Sequence, residues 1–218
     1  MIAEAEAMEV PFCILGVSPK MNDELDAVMP GRFNYVINRD YADYIYLRSD
    51  LASLKGNKLQ PKRNHVNKFI RNYPDFTYHE LTPEFVPQCL AFERQWERRN
   101  VTPEEAQALE DERKSMTFAL THFDRLDLRG AFICVNGKMA AFTFGAAIND
   151  STFDVCVEKA DTDIEGVYAM INYEFSRHLP ENYVYINREE DLGLEGLRKA
   201  KLSYQPCEIL EKNMVTLL

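Results

Sequence analysis

The sequence predicts a mixed α/β fold, in which helices flank a central mixed sheet. Along most of the 218 residues, short segments with the alternation of strands are interspersed with longer segments of helical periodicity. The composition, 46% hydrophobic and 28% charged residues, is that of a globular protein. A chain of this length has room for one large domain or two small ones. Disordered, fibrous and coiled-coil classes are therefore excluded.

The first 60 residues are predicted to form three strands, a helix between the first two, and a short helix after the third. The predicted strands lie at 11–17, 33–38 and 43–47. The helix at 20–29 carries apolar residues on one side and is ended by Pro30-Gly31. Ser49 is the predicted N-cap of the short helix over 50–55, because a serine hydroxyl accepts hydrogen bonds from the first helical turn.

A stretch without acidic residues runs from Leu51 to Pro74, although the whole chain has a net charge of −10. Pro61 favours a helix start there. The apolar stripe of this helix consists of Val66, Phe69, Ile70 and Tyr73. The candidate phosphate- or nucleic-acid-binding cations are Lys62, Arg63, Lys68 and Arg71. Two interpretations stay open for them: an ordinary solvated helix face, and an anion site for phosphate, RNA backbone or lipid head groups.

The remainder, 75–218, is predicted to alternate helices and strands. The predicted strands are 76–81, 131–135, 139–148, 152–158, 183–187 and one or two within 205–218. The predicted helices are 83–99 with Thr82 as cap, one after the capping box Thr102–Glu105, 166–179 and 194–201. Asn136-Gly137 between two apolar runs predicts a tight hairpin. The order is β-α-α-β-β-β-α-β-α-β, with no repeat of solenoid length.

Cysteines, hydropathy and the N-terminal residues bear on the compartment. The five cysteines are odd in number and form no CxxC pair, so they predict reduced core residues and neither a disulfide framework nor a zinc site. No metal site is predicted elsewhere. No apolar run reaches the roughly 18 to 20 residues of a membrane span. The first eleven residues carry glutamates and no basic residue, unlike a signal peptide. These features predict a cytoplasmic protein without a transmembrane segment.

Two long motifs carry a resemblance to a known family. The first is YADYIYLRSDLASLKG at 41–56, continuing into KRNHVNKF at 62–69, and the second is YINREEDLGLEGLRKAKLSYQP at 185–206. With the predicted order of elements, they resemble the bacterial DUF2156 group, tandem proteins of the GNAT (N-acetyltransferase-like) fold. This group is similar to the C-terminal synthase domain of phosphatidylglycerol lysyltransferase. The resemblance implies a partial GNAT-like module at 1–60, lacking its opening strands and helices, a basic linking helix at 61–74 and a second module at 75–218.

The resemblance also implies an activity. Relatives in this clan move an aminoacyl group from aminoacyl-tRNA to an amine or hydroxyl, so an acyltransferase with a lipid head group or similar acceptor is expected. Possible donors are aminoacyl-tRNA and acyl-CoA, and possible partners at the basic helix are tRNA and anionic lipid head groups. The turn at 159–166 has one glycine and three carboxylates, a poor cradle for the diphosphate of CoA. A non-catalytic ligand- or partner-binding protein and an acetyl-CoA-dependent N-acetyltransferase remain alternatives.

Candidate site residues follow from the second motif and the neighbouring strand. Glu189, Asp191 and Glu158 are the candidate catalytic carboxylates, as a base or as an anchor for an ammonium group. The candidate substrate-binding residues are Asn187, Arg188, Asn172, Lys199, Lys201 and Tyr204. A bland alternative exists for several of them, because acidic residues at a helix start and lysines at a helix end also complement the helix dipole. Glu174 and His178 form a possible proton relay, although a pair at such positions more often lies at the solvated edge of a helix.

Overall fold

A computed structural model of the chain describes residues 1–100 and 110–218, apart from the side chain of Asn100. The strands are β1 (Cys13–Val17), β2 (Phe33–Ile37), β3 (Asp43–Leu47), β4 (Thr77–Glu80), β5 (Arg129–Val135), β6 (Lys138–Asn149), β7 (Thr152–Ala160), β8 (Tyr185–Asn187), β9 (Glu208–Leu210) and β10 (Asn213–Leu217). The helices are α1 (Ile2–Ala7), α2 (Pro19–Val28), α3 (Arg48–Ser53), α4 (Gln60–Asn72), α5 (Val86–Asn100), α6 (Glu110–Thr121), α7 (Val167–His178) and α8 (Glu195–Leu202). Short 3₁₀ turns lie at Arg39–Tyr41 and Pro83–Phe85.

Two sheets organise the described residues. The larger has seven strands in the order β4-β5-β6-β7-β8-β3-β9, and the smaller has the order β1-β10-β2. Neighbours from β4 to β7 are antiparallel, whereas β7 and β8 are parallel over the three pairs from Thr152↔Tyr185 to Asp154↔Asn187. Beyond that register β8 ends, while β7 continues to Ala160. The mixed α/β class is confirmed, and the elements follow the predicted GNAT order.

Contacts divide the chain into two compact units. The first contains residues 1–45 and 188–218, and the second contains residues 46–187. The predicted modules at 1–60, 61–74 and 75–218 stay a prediction. In the first unit, the small sheet packs around Val17, Phe33 and Val215, which are buried together. Ser18 accepts a hydrogen bond from the Met21 amide and so caps α2.

The second unit has an aromatic core between α5, α6 and the sheet. Phe132, Phe142 and Phe144 on β5 and β6 pack with Leu120 of α6. Helix α7 is buried on most of its surface, because it packs against α3 and α4 as well as against the strands β5, β6 and β7. Alternation along β7 then sends one of every two side chains toward each face of the sheet.

Several local predictions are confirmed. The strand at 43–47 has the predicted bounds, and Asn136 and Gly137 adopt φ of 51° and 72°, as a two-residue hairpin turn requires. In α4, Val66 and Phe69 are buried as predicted. Ile70, however, is 40% exposed, so the stripe is narrower than the spacing indicates.

Other local predictions are wrong. Ser49 does not cap α3, which begins at Arg48 after Leu47 and ends at Ser53, followed by Leu54 as a left-handed C-cap. Thr82 caps no backbone amide, since a 3₁₀ turn precedes α5 and the Thr82 hydroxyl donates to Glu84 instead. The sequence pattern does not predict helix α1. The capping box Thr102–Glu105 lies outside the described residues.

The cysteine prediction needs a correction too. None of the five cysteines forms a disulfide bond, but Cys13, Cys156 and Cys207 are exposed and Cys134 is half-buried. Only Cys89 lies in the core, where burial raises the pKa of its thiol to about 12. The apolar runs around Cys13 and Cys156 belong to strands with one outward face, and the cysteines occupy that face.

Candidate functional site

A polar pair of one half-buried and one buried residue lies near the end of β7. Asn172 of α7 is only 3% exposed, and its amide Nδ2 donates to Glu158 Oε2 over 3.3 Å. The amide oxygen of Asn172 is also buried and has no hydrogen-bond partner within the described ranges. A buried acceptor without a donor is costly, so such an atom is a natural contact for an N–H group of a ligand. Two residues selected from sequence, Glu158 and Asn172, are thus brought together.

The next residue of β7 points the other way. Lys159 Nζ lies 4.1 Å from the centroid of the Trp96 ring, 3.7 Å from Glu93 Oε1 and 2.9 Å from Glu112 Oε1. Burial raises the pKa of Glu93, and the Lys159 charge partly offsets that rise. Lys159 therefore joins α5 and α6 to the sheet, while Glu158 faces α7.

Tyr168 was not selected from sequence, yet it links these two faces. Its hydroxyl interacts with the Trp96 side chain and with the backbone of Ala160, the last residue of β7. Burial raises the pKa of Tyr168, and these two hydrogen bonds partly offset the rise. The helical spacing around Gly166 placed Tyr168 in the first turn of α7, but only the fold shows that this turn meets Trp96.

The turn at 161–166 is held by ion pairs. Asp161 lies 3.4 Å and Asp163 3.6 Å from Arg99 Nη1, and Glu165 lies 2.6 Å from Lys68 Nζ. Gly166 has a φ of 86°, and a Cβ there would lie 2.7 Å from the backbone oxygen of His65 in α4. The single glycine of the turn thus permits close packing of α7 on α4. A diphosphate at this helix start would meet three carboxylates and a closely packed neighbour.

The four candidate cations of α4 have different surroundings. Arg63 donates to the backbone oxygens of Leu54 and Gly56, so it closes the end of α3. Lys68 is paired with Glu165, Lys62 is half-buried, and Arg71 is exposed. The helix face is basic, but two of its four candidate cations also serve local structure.

In the first unit, the loop that follows β8 is built around Asp191. This carboxylate is fully buried and accepts hydrogen bonds from Tyr44 Oη at 2.5 Å, Arg198 Nη2 at 2.8 Å and the Gly193 amide at 2.9 Å. Arg198 also reaches Asp40 Oδ1 at 2.7 Å. Hydrogen bonds from Arg198 hold the pKa of Asp191 well below its usual range. A carboxylate held this way is a weak base, which favours a structural role for Asp191.

Residues of α8 and of the segment directly after it contact the other predicted residues of that loop. Lys201, only 8% exposed, donates its ammonium group to the backbone oxygens of Arg188 and Glu190. The Arg188 guanidinium lies 4.9 Å from the centre of the Tyr204 ring. Lys199 is exposed on α8 and stays apart from this group. Glu189 adopts a left-handed backbone, φ 54°, which a non-glycine residue rarely does.

Glu174 and His178 on α7 form a local cluster. Glu174 Oε1 pairs with Arg177 at 3.0 Å, and its Oε2 lies 3.6 Å from His178 Nδ1. The His178 ring stacks on Tyr78 with a centroid separation of 4.2 Å. These contacts match an edge cluster that fastens the end of α7, and they do not reach Asn172.

Comparison with known proteins places the chain in a family. The model of the family "Phosphatidylglycerol lysyltransferase, C-terminal" matches residues 1–216. The chain belongs to this family. A solved protein of unknown function from Bacteroides thetaiotaomicron is 53% identical, with a TM-score of 0.95 over 100% of this chain and 73% of that one. The DUF2156 resemblance is thereby confirmed.

More distant members share the fold. The C-terminal DUF2156 domain of a proposed lysylphosphatidylglycerol synthetase from Agrobacterium fabrum is 14% identical, with a TM-score of 0.69 over 99% of this chain and 70% of that one. An uncharacterised protein of Mycoplasmoides gallisepticum is 22% identical over 84% of this chain. The chain spans 58% of the length of that curated relative. Among the described helices, none combines the length and apolar character of a membrane span.

Within the family motifs, sequence reasoning missed the partners of Asp191. Tyr44 lies in the first motif and Arg198 in the second, and Arg39 and Asp40 lie just before the first. One signal was available, since a buried aspartate requires a cation and Arg198 follows it within the same motif. The pairing with Tyr44 spans most of the chain, and local periodicity carries no information about it.

Proposed function

We propose that this chain transfers an aminoacyl group to an amine or hydroxyl acceptor, such as a lipid head group. Its family includes the named C-terminal domain of phosphatidylglycerol lysyltransferase, and its fold is that of GNAT acyltransferases. The observation that carries the proposal is the pair of half-buried Glu158 and buried Asn172, in which the Asn172 oxygen has no donor among the described residues.

The pair suits an aminoacyl donor because such a donor carries an α-ammonium group next to the reacting carbonyl. The Asn172 oxygen accepts one N–H of that ammonium group. Glu158 takes the proton of the acceptor hydroxyl or amine as this group attacks the carbonyl. The new ester or amide bond forms as the bond to the donor oxygen breaks, and the proton passes to the departing hydroxyl. No covalent enzyme intermediate is needed.

The turn at 161–166 favours an aminoacyl ester over an acyl-CoA as donor. A CoA diphosphate requires free backbone amides and room at the start of α7. Here Gly166 packs against His65 O, and Asp161, Asp163 and Glu165 add negative charge. The basic face of α4, with exposed Arg71, would contact the phosphates of tRNA.

The other predicted residues keep their proposed places. Glu189 stays a predicted catalytic carboxylate, and Asn187 and Arg188 stay predicted substrate-binding residues. Asp191, Lys201 and Tyr204 hold the loop that carries them.

The proposal is tested by transfer of a labelled amino acid. The chain is incubated with tRNA charged with a labelled amino-acid mixture and with phosphatidylglycerol vesicles, and the label is counted in the lipid extract. Wild type is expected to transfer label, and Glu158→Gln is expected to lose about 100-fold or more of the rate, as for a general base. Glu181→Gln, an exposed carboxylate on the loop before β8, is the matched control.

Three results would overturn the proposal. One is the absence of label in any lipid or added amine, which would favour a non-catalytic binding protein. Another is transfer from acetyl-CoA with none from aminoacyl-tRNA. The third is a Glu158→Gln variant that is folded and as active as wild type.

A further inference from the structure

A pocket of 560 Å³ opens on the α5 side of the second unit. This volume lies within the range of small-molecule sites, about 300–1,000 Å³. The apolar part of its lining consists of Tyr73, Phe92, Trp96, Val135, Met139 and Ile164, and the polar part of Gln95, Arg99, Asn136, Lys138 and Asp161. They come from α5, from the β5–β6 hairpin, from the end of α4 and from the turn after β7. None of the candidate site residues from the sequence analysis lies in these walls.

The aromatic walls are fixed by contacts outside the pocket. Phe92 meets Phe142 edge-on with a centroid separation of 5.8 Å, and Tyr73 lies 5.2 Å from Phe69. Trp96 is held between Lys159 and Tyr168. A preorganised apolar wall binds an apolar group without first having to order its own side chains.

The charges around the pocket disfavour a cationic ligand. Arg99 and Lys138 lie in its walls, and Lys159 occupies a face of Trp96 at 4.1 Å. The carboxylate of the lining, Asp161, is paired with Arg99 through contacts of 3.4 Å to both oxygens. Arg99 and Asp161 offset each other, and Asp163 also pairs with Arg99. An entering ammonium group would therefore meet the Lys138 charge and a carboxylate that is already neutralised.

The pocket is also close to the proposed acyl site. Tyr168 contacts both Trp96 in the pocket wall and Ala160 at the end of β7. Asp161, the next residue, belongs to the pocket lining. Glu158 precedes Asp161 by three residues, so at most about 11 Å separates their Cα atoms. A group held at Glu158 reaches the pocket by passing around the end of β7, where Tyr168 of α7 meets Trp96.

We propose that this pocket receives the side chain of the aminoacyl group and selects a neutral apolar or aromatic side chain over a lysyl side chain. The inference rests on the proposed function, and it departs from the lysyl group in the family's name. Selection arises because an apolar side chain gains burial against fixed aromatic walls, whereas a lysyl ammonium would lose its hydration without gaining a free carboxylate.

Binding is tested with amino-acid amides, which cannot react. The chain contains one tryptophan, so its intrinsic fluorescence reports on the pocket wall directly. Titration with phenylalaninamide and leucinamide is expected to give a saturable change, with lysinamide at least about tenfold weaker. Equal or tighter binding of lysinamide, or no saturable change with any amide, would overturn the proposal.

A charge placed in the wall provides the second arm. Met139→Glu is expected to weaken phenylalaninamide at least about tenfold and to strengthen lysinamide, a gain that an unfolded variant cannot show. Ile148→Glu, an exposed position on the same strand β6, is the matched control and should bind as wild type does. Loss of both amides in Met139→Glu with an unchanged melting temperature would count against the assigned charge selection.

Transfer assays separate this inference from the proposed function. Transfer that prefers phenylalanyl- or leucyl-tRNA over lysyl-tRNA supports both. Transfer that prefers lysyl-tRNA refutes the pocket's selectivity and leaves the function standing. Apolar amide binding without transfer from any charged tRNA refutes the function and leaves the pocket's ligand class standing.

Discussion

Asp191→Asn tests the buried ion network of the first unit. The substitution keeps the shape of the side chain but removes the charge that faces Arg198 and Arg39. Asp191 is completely buried, but Arg198 and Arg39, which lose their partner, are 34% and 39% exposed, so solvent replaces part of the lost interaction. Removing one member of a fully buried pair costs about 3–5 kcal/mol of unfolding free energy, so this half-exposed pair is expected to cost about 2–3 kcal/mol. Tyr44→Phe, which removes one hydrogen bond to the same carboxylate, is expected to cost about 1.5–3 kcal/mol.

The pH dependence gives this prediction a second signature. The folded protein holds the Asp191 pKa well below the unfolded value of about 3.9, so the unfolded chain binds this proton more readily. The contribution of Asp191 is therefore complete above about pH 5 and is lost as the pH falls toward its folded pKa. The stability difference between wild type and Asp191→Asn should shrink from pH 7 to pH 3, because the asparagine does not titrate.

Urea unfolding followed by circular dichroism at pH 7, 5 and 3 measures both effects. Asp163→Asn is the control, since Asp163 is 82% exposed and its pair with Arg99 is worth at most about 1 kcal/mol. A loss below about 1 kcal/mol for Asp191→Asn at pH 7, or a difference that does not change with pH, would refute the structural role of the network.

Two further substitutions test the packing around β7 and α7. Gly166→Ala should lose at least about 2 kcal/mol of unfolding free energy in urea, because the φ of 86° and the nearby His65 oxygen oppose a Cβ. Gly196→Ala, which has open space around the added Cβ, should gain about 0.5–1 kcal/mol. Equal effects of the two substitutions would contradict this explanation. Lys159→Met should cost about 3–5 kcal/mol of unfolding free energy at pH 8, because it leaves the buried Glu93 carboxylate without its cation. The loss should be smaller at pH 5, where Glu93, whose pKa is raised, takes up a proton in the folded variant. A loss that grows as the pH falls would show that Glu93 does not carry the effect.

Local physics made much of the fold predictable. Asn136-Gly137 requires positive φ at two successive residues, and the structure has both. The Ser49 cap failed because α3 begins at Arg48, directly after β3 ends at half-buried Leu47, so Ser49 already lies inside the first turn of the helix. Cys13 and Cys156 were misassigned since an apolar run does not say which residues of a strand face outward.

The candidate site was predictable only where the deciding contact is local. Glu158 and Asn172 were each selected, but their contact depends on the packing of α7 on β7. The pocket was not found at all. Its walls come from segments far apart in sequence, and each aromatic residue taken alone is typical of a core.

The acidic turn after β7 connects the donor preference to the pocket. Asp161 and Asp163 fix Arg99 at the pocket mouth, and Glu165 fixes Lys68 on α4. A glycine-rich turn able to hold a diphosphate would lack these side chains, and Arg99 would then present an unpaired charge to the entering group. The same residues that disfavour CoA therefore neutralise the entrance to an apolar pocket. A donor without a diphosphate at this turn and a neutral side chain in the pocket are thus two consequences of one local sequence.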